Sequence, residues 1–404
     1  MKICIVTSGA AAAEPRAMKQ ALALKARWPQ LSVVLCDGGP RGQATPDPER
    51  LAQSEIERSR VDFPTRRNGG FELAGRKVQI ALAKTRFARF GTLDPALFGV
   101  RTFGLTARLR AHRADAYIAH GVDTLLPSGL AAKSVGAKLI FDSMEYYADM
   151  GDQQLPLDQK AAHAVQTKLL THCDLVLAAS DDIADRLSED YKIKRPTAVY
   201  NTPPIQLELP ASNGEFSLYW RNYQIGFGQR GLEDALVALS LAPKAIKLYI
   251  QGRPPHDGGV SLSQQLSRLG IADRVIVKPP FPAGQAVSEA ATHTVGLCLE
   301  RRGPLNHELT VSNKMFDYLM AGLAVVSSDL PSLRKIMERS GAGLMYKPGS
   351  PEELAERINT LYEDRELLST LSTNARKFSR ETGNEAVDMK IFTDAVCDVT
   401  GLGG

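Results

Sequence analysis

Short apolar runs alternate with longer stretches of helical spacing along this chain, and the series stops and then starts again. Residues 1–7, 31–36, 117–119, 138–141, 175–178 and 198–200 read as strands, with a helix over 15–27 after the first of them. Runs this continuously apolar belong in a parallel sheet covered on both faces, with helices as the crossovers. Asn201-Thr202-Pro203-Pro204, Pro210 and Asn213-Gly214 then gather the residues that break regular structure. The alternation resumes with strands over 216–220, 246–250, 275–277, 295–299 and 323–327. Helices are expected at 232–240, 262–269, 313–321 and 351–362, and the pattern from Arg365 onward is helical without a strand. The fold class is therefore α/β, with two Rossmann-like domains and a central cleft between the carboxyl ends of their sheets. We expect a first domain over 1–202, a linker over 203–214, a second domain over 215–375, and a helical segment over 376–404 packing back on the first domain.

A length of 404 residues suits this division, being too long for one ordinary core. The five cysteines are scattered and never spaced C-x-x-C, which argues against a disulfide framework and a structural zinc site. No apolar run is long enough for a signal peptide core or a membrane-spanning helix, so a cytoplasmic protein, free or lying on a membrane surface, is expected. The small-residue turn Ser8-Gly9-Ala10-Ala11-Ala12 lacks G-x-G-x-x-G, which disfavours a nicotinamide dehydrogenase. No P-loop, H-E-x-x-H or D-x-D sequence suggests a nucleotide kinase or a catalytic metal.

Charge is unevenly spread. Between Arg58 and Arg113 thirteen basic residues face three acids, a local excess of ten in a chain whose net charge is +4. Such a block calls for an anionic partner or a broad solvated face. Within it, Val78, Ala81, Leu82, Thr85, Phe87 and Phe90 interleave with Lys77, Lys84, Arg86 and Arg89, as in a basic amphipathic helix lying on an anionic membrane. No RNA- or DNA-binding motif accompanies it, so nucleic acid is not expected as a partner.

The segment Ser312-Asn313-Lys314-Met315-Phe316-Asp317-Tyr318-Leu319-Met320-Ala321-Gly322-Leu323-Ala324-Val325-Val326-Ser327 joins a lysine, a Phe-acid-Tyr helix, an Ala-Gly turn and a buried strand. Asn374-Ala375-Arg376 follows near the last helices, and Ala119-His120-Gly121, Phe141-Asp142-Ser143 and Val199-Tyr200-Asn201 precede it. In this order they resemble the retaining glycosyltransferases of the GT-B fold, the "group 1" family. The resemblance implies that a nucleotide-sugar donor, a UDP- or GDP-sugar, binds the second domain as substrate, with no further cofactor. A glycan or lipid-linked acceptor is then expected on the first domain, in surface polysaccharide or glycolipid synthesis. A diphosphate leaving group without a metal must be met by arginines, lysines and helix N-termini. The family's basic pair falls on Arg221 and on Arg230, within Gly226-Phe227-Gly228-Gln229-Arg230-Gly231. Lys314, beside Asn313 and the N-cap residue Ser312, joins them at the diphosphate. Asp317 takes the place of the acid that holds the ribose. Glu308 is the candidate for the first acid of an E-x7-E pattern, one residue out of register. His120 falls beside the transferred sugar. The same fold also serves nucleotide-sugar 2-epimerases, and a catalytically silent sugar-nucleotide-binding partner protein remains a third reading.

Overall fold

The computed structural model describes residues 1–10, 14–42, 49–151, 156–211, 214–228, 230–255, 257–282 and 284–403. Ala11, Ala12, Asn213 and Gln229, used above, lie outside these. The chain divides into two compact units, one of Met1–Tyr200 with Met389–Gly404 and one of Asn201–Asp388.

In the first unit, β1 (Lys2–Val6), β2 (Ser32–Pro40), β3 (Glu57–Phe63), β4 (Ala116–His120), β5 (Lys138–Ser143), β6 (Leu175–Ala178) and β7 (Thr197–Ala198) form a parallel sheet in the order β3-β2-β1-β4-β5-β6-β7. Helices cover it because both faces are apolar: Ile3, Ile5, Val33, Leu35 and Ile118 share one buried cluster with Leu24 of the first helix. Met389, Phe392 and Val396, from the helix Glu385–Thr400, complete that cluster.

In the second unit, β8 (Ser217–Gln224), β9 (Lys247–Arg253), β10 (Val275–Lys278), β11 (Val295–Cys298), β12 (Ala324–Ser328) and β13 (Gly343–Tyr346) form a parallel sheet ordered β10-β9-β8-β11-β12-β13. Trp220, Leu236, Leu248, Leu297, Val326 and Ile358 lie in its core.

β3 and β13 were not expected from the sequence. β3 is an edge strand in which Arg58 and Arg60 alternate with apolar and small residues, so its charges disguise it. Those charges are partly matched: Arg58 Nη2 donates to the buried Asp37 at 2.6 Å, Arg60 to Asp62 at 2.9 Å, and Lys84 to Asp158 at 2.7 Å. Asp37 and Asp158 lie outside the basic block, so its local excess of charge is smaller in the folded chain than along the sequence.

The helix Gly70–Phe90 also departs from a one-sided amphipathic pattern. Phe87, read with the outward apolar residues, packs inward with Ala83 against Leu97 and Phe98. Phe71, Val78 and Leu82 are 99%, 60% and 51% exposed. Spaced by seven and four residues, they fall within roughly 40° of one another at ~100° per residue. The helix is apolar on two faces, one packed and one bare.

Candidate active site

A crevice forms in an open parallel sheet where the strand order reverses, because neighbouring connections leave for opposite faces. In the second unit this point lies between β8 and β11. Arg221 stands in β8 where a register shift between Arg221 and Gln224 interrupts the pairing with β9, and such shifts re-aim side chains. Glu300 lies two residues beyond β11. Arg230 reaches it from the loop that opens the helix Leu232–Leu241. Gly231 makes this possible: its φ is +62°, and a Cβ there would stand 2.6 Å from Leu299 Cβ and 2.8 Å from Leu299 O. Trp220 Nε1 donates to Arg230 O at 2.9 Å and fixes the loop from the strand side.

Arg230 Nη1 donates to Glu300 Oε2 at 2.5 Å, and Lys314 Nζ lies 2.8 Å from Glu300 Oε1. Glu300 is 2% and Lys314 4% exposed. Burial alone would raise the Glu300 pKa, but Lys314 and then Arg230 outweigh it and hold the carboxyl at about 2. Glu300 is thus a buried anion at neutral pH. Lys314 sits in the first turn of the helix Asn313–Ala321, against the helix dipole, and Glu300 is the anion that compensates it.

Asp317, in the same helix and 9% exposed, accepts a hydrogen bond from Arg221 Nη2. The Arg221 guanidinium carbon lies 5.6 Å from the centre of the Phe281 ring. Its Nε is buried and, among the described residues, has no hydrogen-bond partner. Ser312 takes the N-cap position with extended backbone, but its hydroxyl makes no capping bond, contrary to the expectation from its residue type. Asn313 Oδ1 accepts from Asn201 Nδ2 at 3.5 Å. Glu308 is paired with Arg302 at 3.4 Å. The structure therefore brings Arg230 and Lys314 together on one carboxylate and Arg221 onto Asp317. It gives Glu308 a separate cation.

In the first unit the strand order reverses between β1 and β4. A cavity of about 620 Å³ opens there, lined among others by Ser8, Glu14, Phe98, His120, Asp123 and Tyr147. Burial, and then the Asp123 charge, raises the Glu14 pKa, and burial raises that of Asp123 despite a hydrogen bond from Ser8. His120 is 2% exposed. Its Nε2 lies 3.1 Å from Gln20 Oε1, while Gln20 Nε2 donates to Asp142 Oδ2 at 2.6 Å. Since Gln20 gives its amide protons to Asp142, its oxygen must accept, and His120 Nε2 carries the proton. Arg16 closes the network with Nε to Asp142 Oδ2 at 2.7 Å and Nη2 to Oδ1 at 2.9 Å. Burial holds the His120 pKa at about 4, so the ring is neutral and built into this network. Asp142, near the end of β5, is the buried centre of this network.

Glu300, Arg16 and Gln20 were missed in the sequence. Glu300 carried a legible signal, an acid directly following a buried apolar strand. Nothing in the helix Pro15–Arg27 sets Arg16 and Gln20 apart from solvated residues.

Residues 11–202 match the sequence model of the glycosyl transferase 4-like domain, and residues 227–364 match that of glycosyl transferases group 1. Among solved structures, the chain resembles Anabaena Alr3699/HepE in complex with UDP and glucose, at 15% identity and a TM-score of 0.70, over 98% of this chain and 100% of that one. Sucrose-phosphate synthase from Thermosynechococcus elongatus is similar at 12% identity and a TM-score of 0.69, over 100% and 99% of the two chains. The lipopolysaccharide outer core galactosyltransferase WaaB, in its apo form, is similar at 17% identity and 0.64, over 98% and 99%. No curated protein matches the sequence. Two glycosyltransferase domains in sequence, on two Rossmann-like units, define an enzyme of the GT-B class. This chain is a GT-B-type glycosyltransferase.

Proposed function

We propose that the chain moves a sugar from a UDP- or GDP-sugar to a glycan or lipid-linked acceptor, with retention of configuration and without a metal ion, in surface polysaccharide or glycolipid synthesis. The observation that carries the donor reading is the set of Arg221, Arg230, Lys314 and Asp317 at the β8–β11 reversal, with the buried Arg221 Nε left without a hydrogen-bond partner among the described residues. Fixed cations there meet the charge that grows on a departing diphosphate. Asp317 holds the ribose hydroxyls once a nucleotide displaces Arg221 toward the phosphates. HepE, bound to UDP, gives the first nucleotide to try.

Thermal stabilisation by UDP-, GDP-, ADP-, TDP- and CMP-sugars in metal-free buffer tests this. One donor is expected to raise the melting temperature clearly above the others. No response from any of them would remove Arg221, Arg230 and Asp317 as donor ligands. Incubating the hit alone also separates a transferase from a 2-epimerase, which would convert donor without acceptor.

The acceptor is assigned to the 620 Å³ cavity at the β1–β4 reversal, where raised carboxyl groups can share hydrogen bonds with sugar hydroxyls and Phe98 offers an apolar wall. The bare face of the helix Gly70–Phe90, Phe71, Val78 and Leu82 with Arg86 and Arg89 nearby in sequence, supports contact with an anionic lipid surface. Co-sedimentation should find the chain on vesicles containing a third phosphatidylglycerol and not on pure phosphatidylcholine. Leu82→Glu should reduce that binding about tenfold; unchanged binding would exclude this face.

A further inference from the structure

Glu300 spends its charge on two cations that the donor reading also needs, and the pairing is not symmetrical. The Lys314 side chain is 4% exposed, with its ammonium 2.8 Å from the carboxylate, whereas the Arg230 side chain is 32% exposed. An ammonium enclosed against a buried anion gains little by leaving it, and leaving would strand Glu300 without its more deeply buried partner. A guanidinium about a third exposed can still be reached by an incoming group, as the enclosed ammonium cannot.

We propose that Lys314 does not touch the donor phosphates. It is a positioning residue that neutralises Glu300, so that the charge of Arg230 is left for the diphosphate. Arg230, Lys314 and Glu300 together carry one net positive charge, and that single charge is what this corner of the site offers. Glu300 in turn holds Arg230 over the end of β11, where Gly231 allows the loop to close. The inference rests on the donor reading above and names which of its cations meets the phosphates.

The readout is the ratio of affinities for a nucleoside diphosphate and its nucleoside, UDP over uridine or GDP over guanosine, whichever diphosphate the full-length chain binds. This ratio isolates the diphosphate contact, and the nucleoside affinity of each variant reports that the site is still folded. Lys314→Met leaves Glu300 with Arg230 as its remaining cation and should lower the ratio at least tenfold. Adding Glu300→Gln to that variant restores one net positive charge and should bring the ratio back to within threefold of the parent. Glu300→Gln alone, with two cations uncompensated, should raise it threefold or more. A merely structural lysine would not be rescued by neutralising its partner. If the double variant stays as low as Lys314→Met, the lysine is a phosphate ligand and the proposal is overturned; a Glu300→Gln ratio below the parent's overturns it too. If Arg230→Ala leaves the ratio untouched, the donor reading itself fails, which is a different result from either of these.

Discussion

Arg230→Ala is expected to lower kcat/KM by ~10²-fold or more, the loss typical of one preorganised group facing charge that develops in the transition state. The effect should fall mainly on kcat, because the diphosphate carries more charge as it leaves than while it is bound to the sugar. Folding should be little affected, since Glu300 keeps Lys314 as its partner and Trp220 bonds to the Arg230 backbone, which alanine retains. Steady-state kinetics with the donor from the thermal panel measure it. A variant within threefold of the parent would mean that leaving-group charge is met elsewhere.

Arg16→Met should have the largest effect on stability, about 3–5 kcal/mol, the usual consequence of stranding one member of a buried ion pair. Asp142 is fully buried, and Arg16 supplies it with two of its hydrogen bonds. The defect depends on pH in a defined sense. Burial pushes the Asp142 pKa up, while Arg16, His120 and the hydrogen bonds of Arg16 and Gln20 more than reverse this, leaving it below its ordinary value. The stability it contributes is present above the unfolded carboxyl pKa of ~3.9 and is lost as pH falls through the lower folded value. The deficit of Arg16→Met is therefore greatest near neutrality and shrinks on acidification. His120 acts over a higher window. Its folded pKa of about 4 lies below the ordinary imidazole value of ~6.5, so the unfolded chain takes up the proton first and stability declines between these two pH values. His120→Gln should flatten that decline. The two tryptophans allow the units to be followed apart in urea titrations, Trp28 being buried in the first and Trp220 in the second. An Arg16→Met midpoint equal to the parent's at pH 7, read from Trp28, would rule out this account of the network.

Much of the fold could be read from residue order alone, because central parallel strands are buried on both faces and show as unbroken apolar runs. The strands that escaped notice were edge strands. Arg58, Arg60 and Asp62 give β3 the look of a solvated loop until Asp37 and Pro40 of the neighbouring strand are seen to receive the two arginines. The candidate site was legible at the level of residues and illegible at the level of pairs. Arg221, Arg230, Lys314 and Asp317 stood out by motif and position. Their partners did not, since Arg230 meets Glu300 across 70 residues, Arg221 meets Asp317 across 96, and Arg16 meets Asp142 across 126. Local spacing carries helix faces and strand alternation, but nothing in it says which of two nearby acids a cation will choose. The same gap hid the partner of His120, a glutamine one hundred residues earlier that holds it in a buried network.

The helix Glu385–Thr400 has one further consequence. Its later residues, Met389, Phe392 and Val396, fill the core built on Ile3, Ile5 and Leu24. A ribosome makes the chain from the amino end, so those early strands must wait through the synthesis of the whole second unit before their core can be closed. The second unit, continuous from Asn201 to Asp388, meets no such delay. The part of the enzyme that is translated first is thus the part whose folding is finished last.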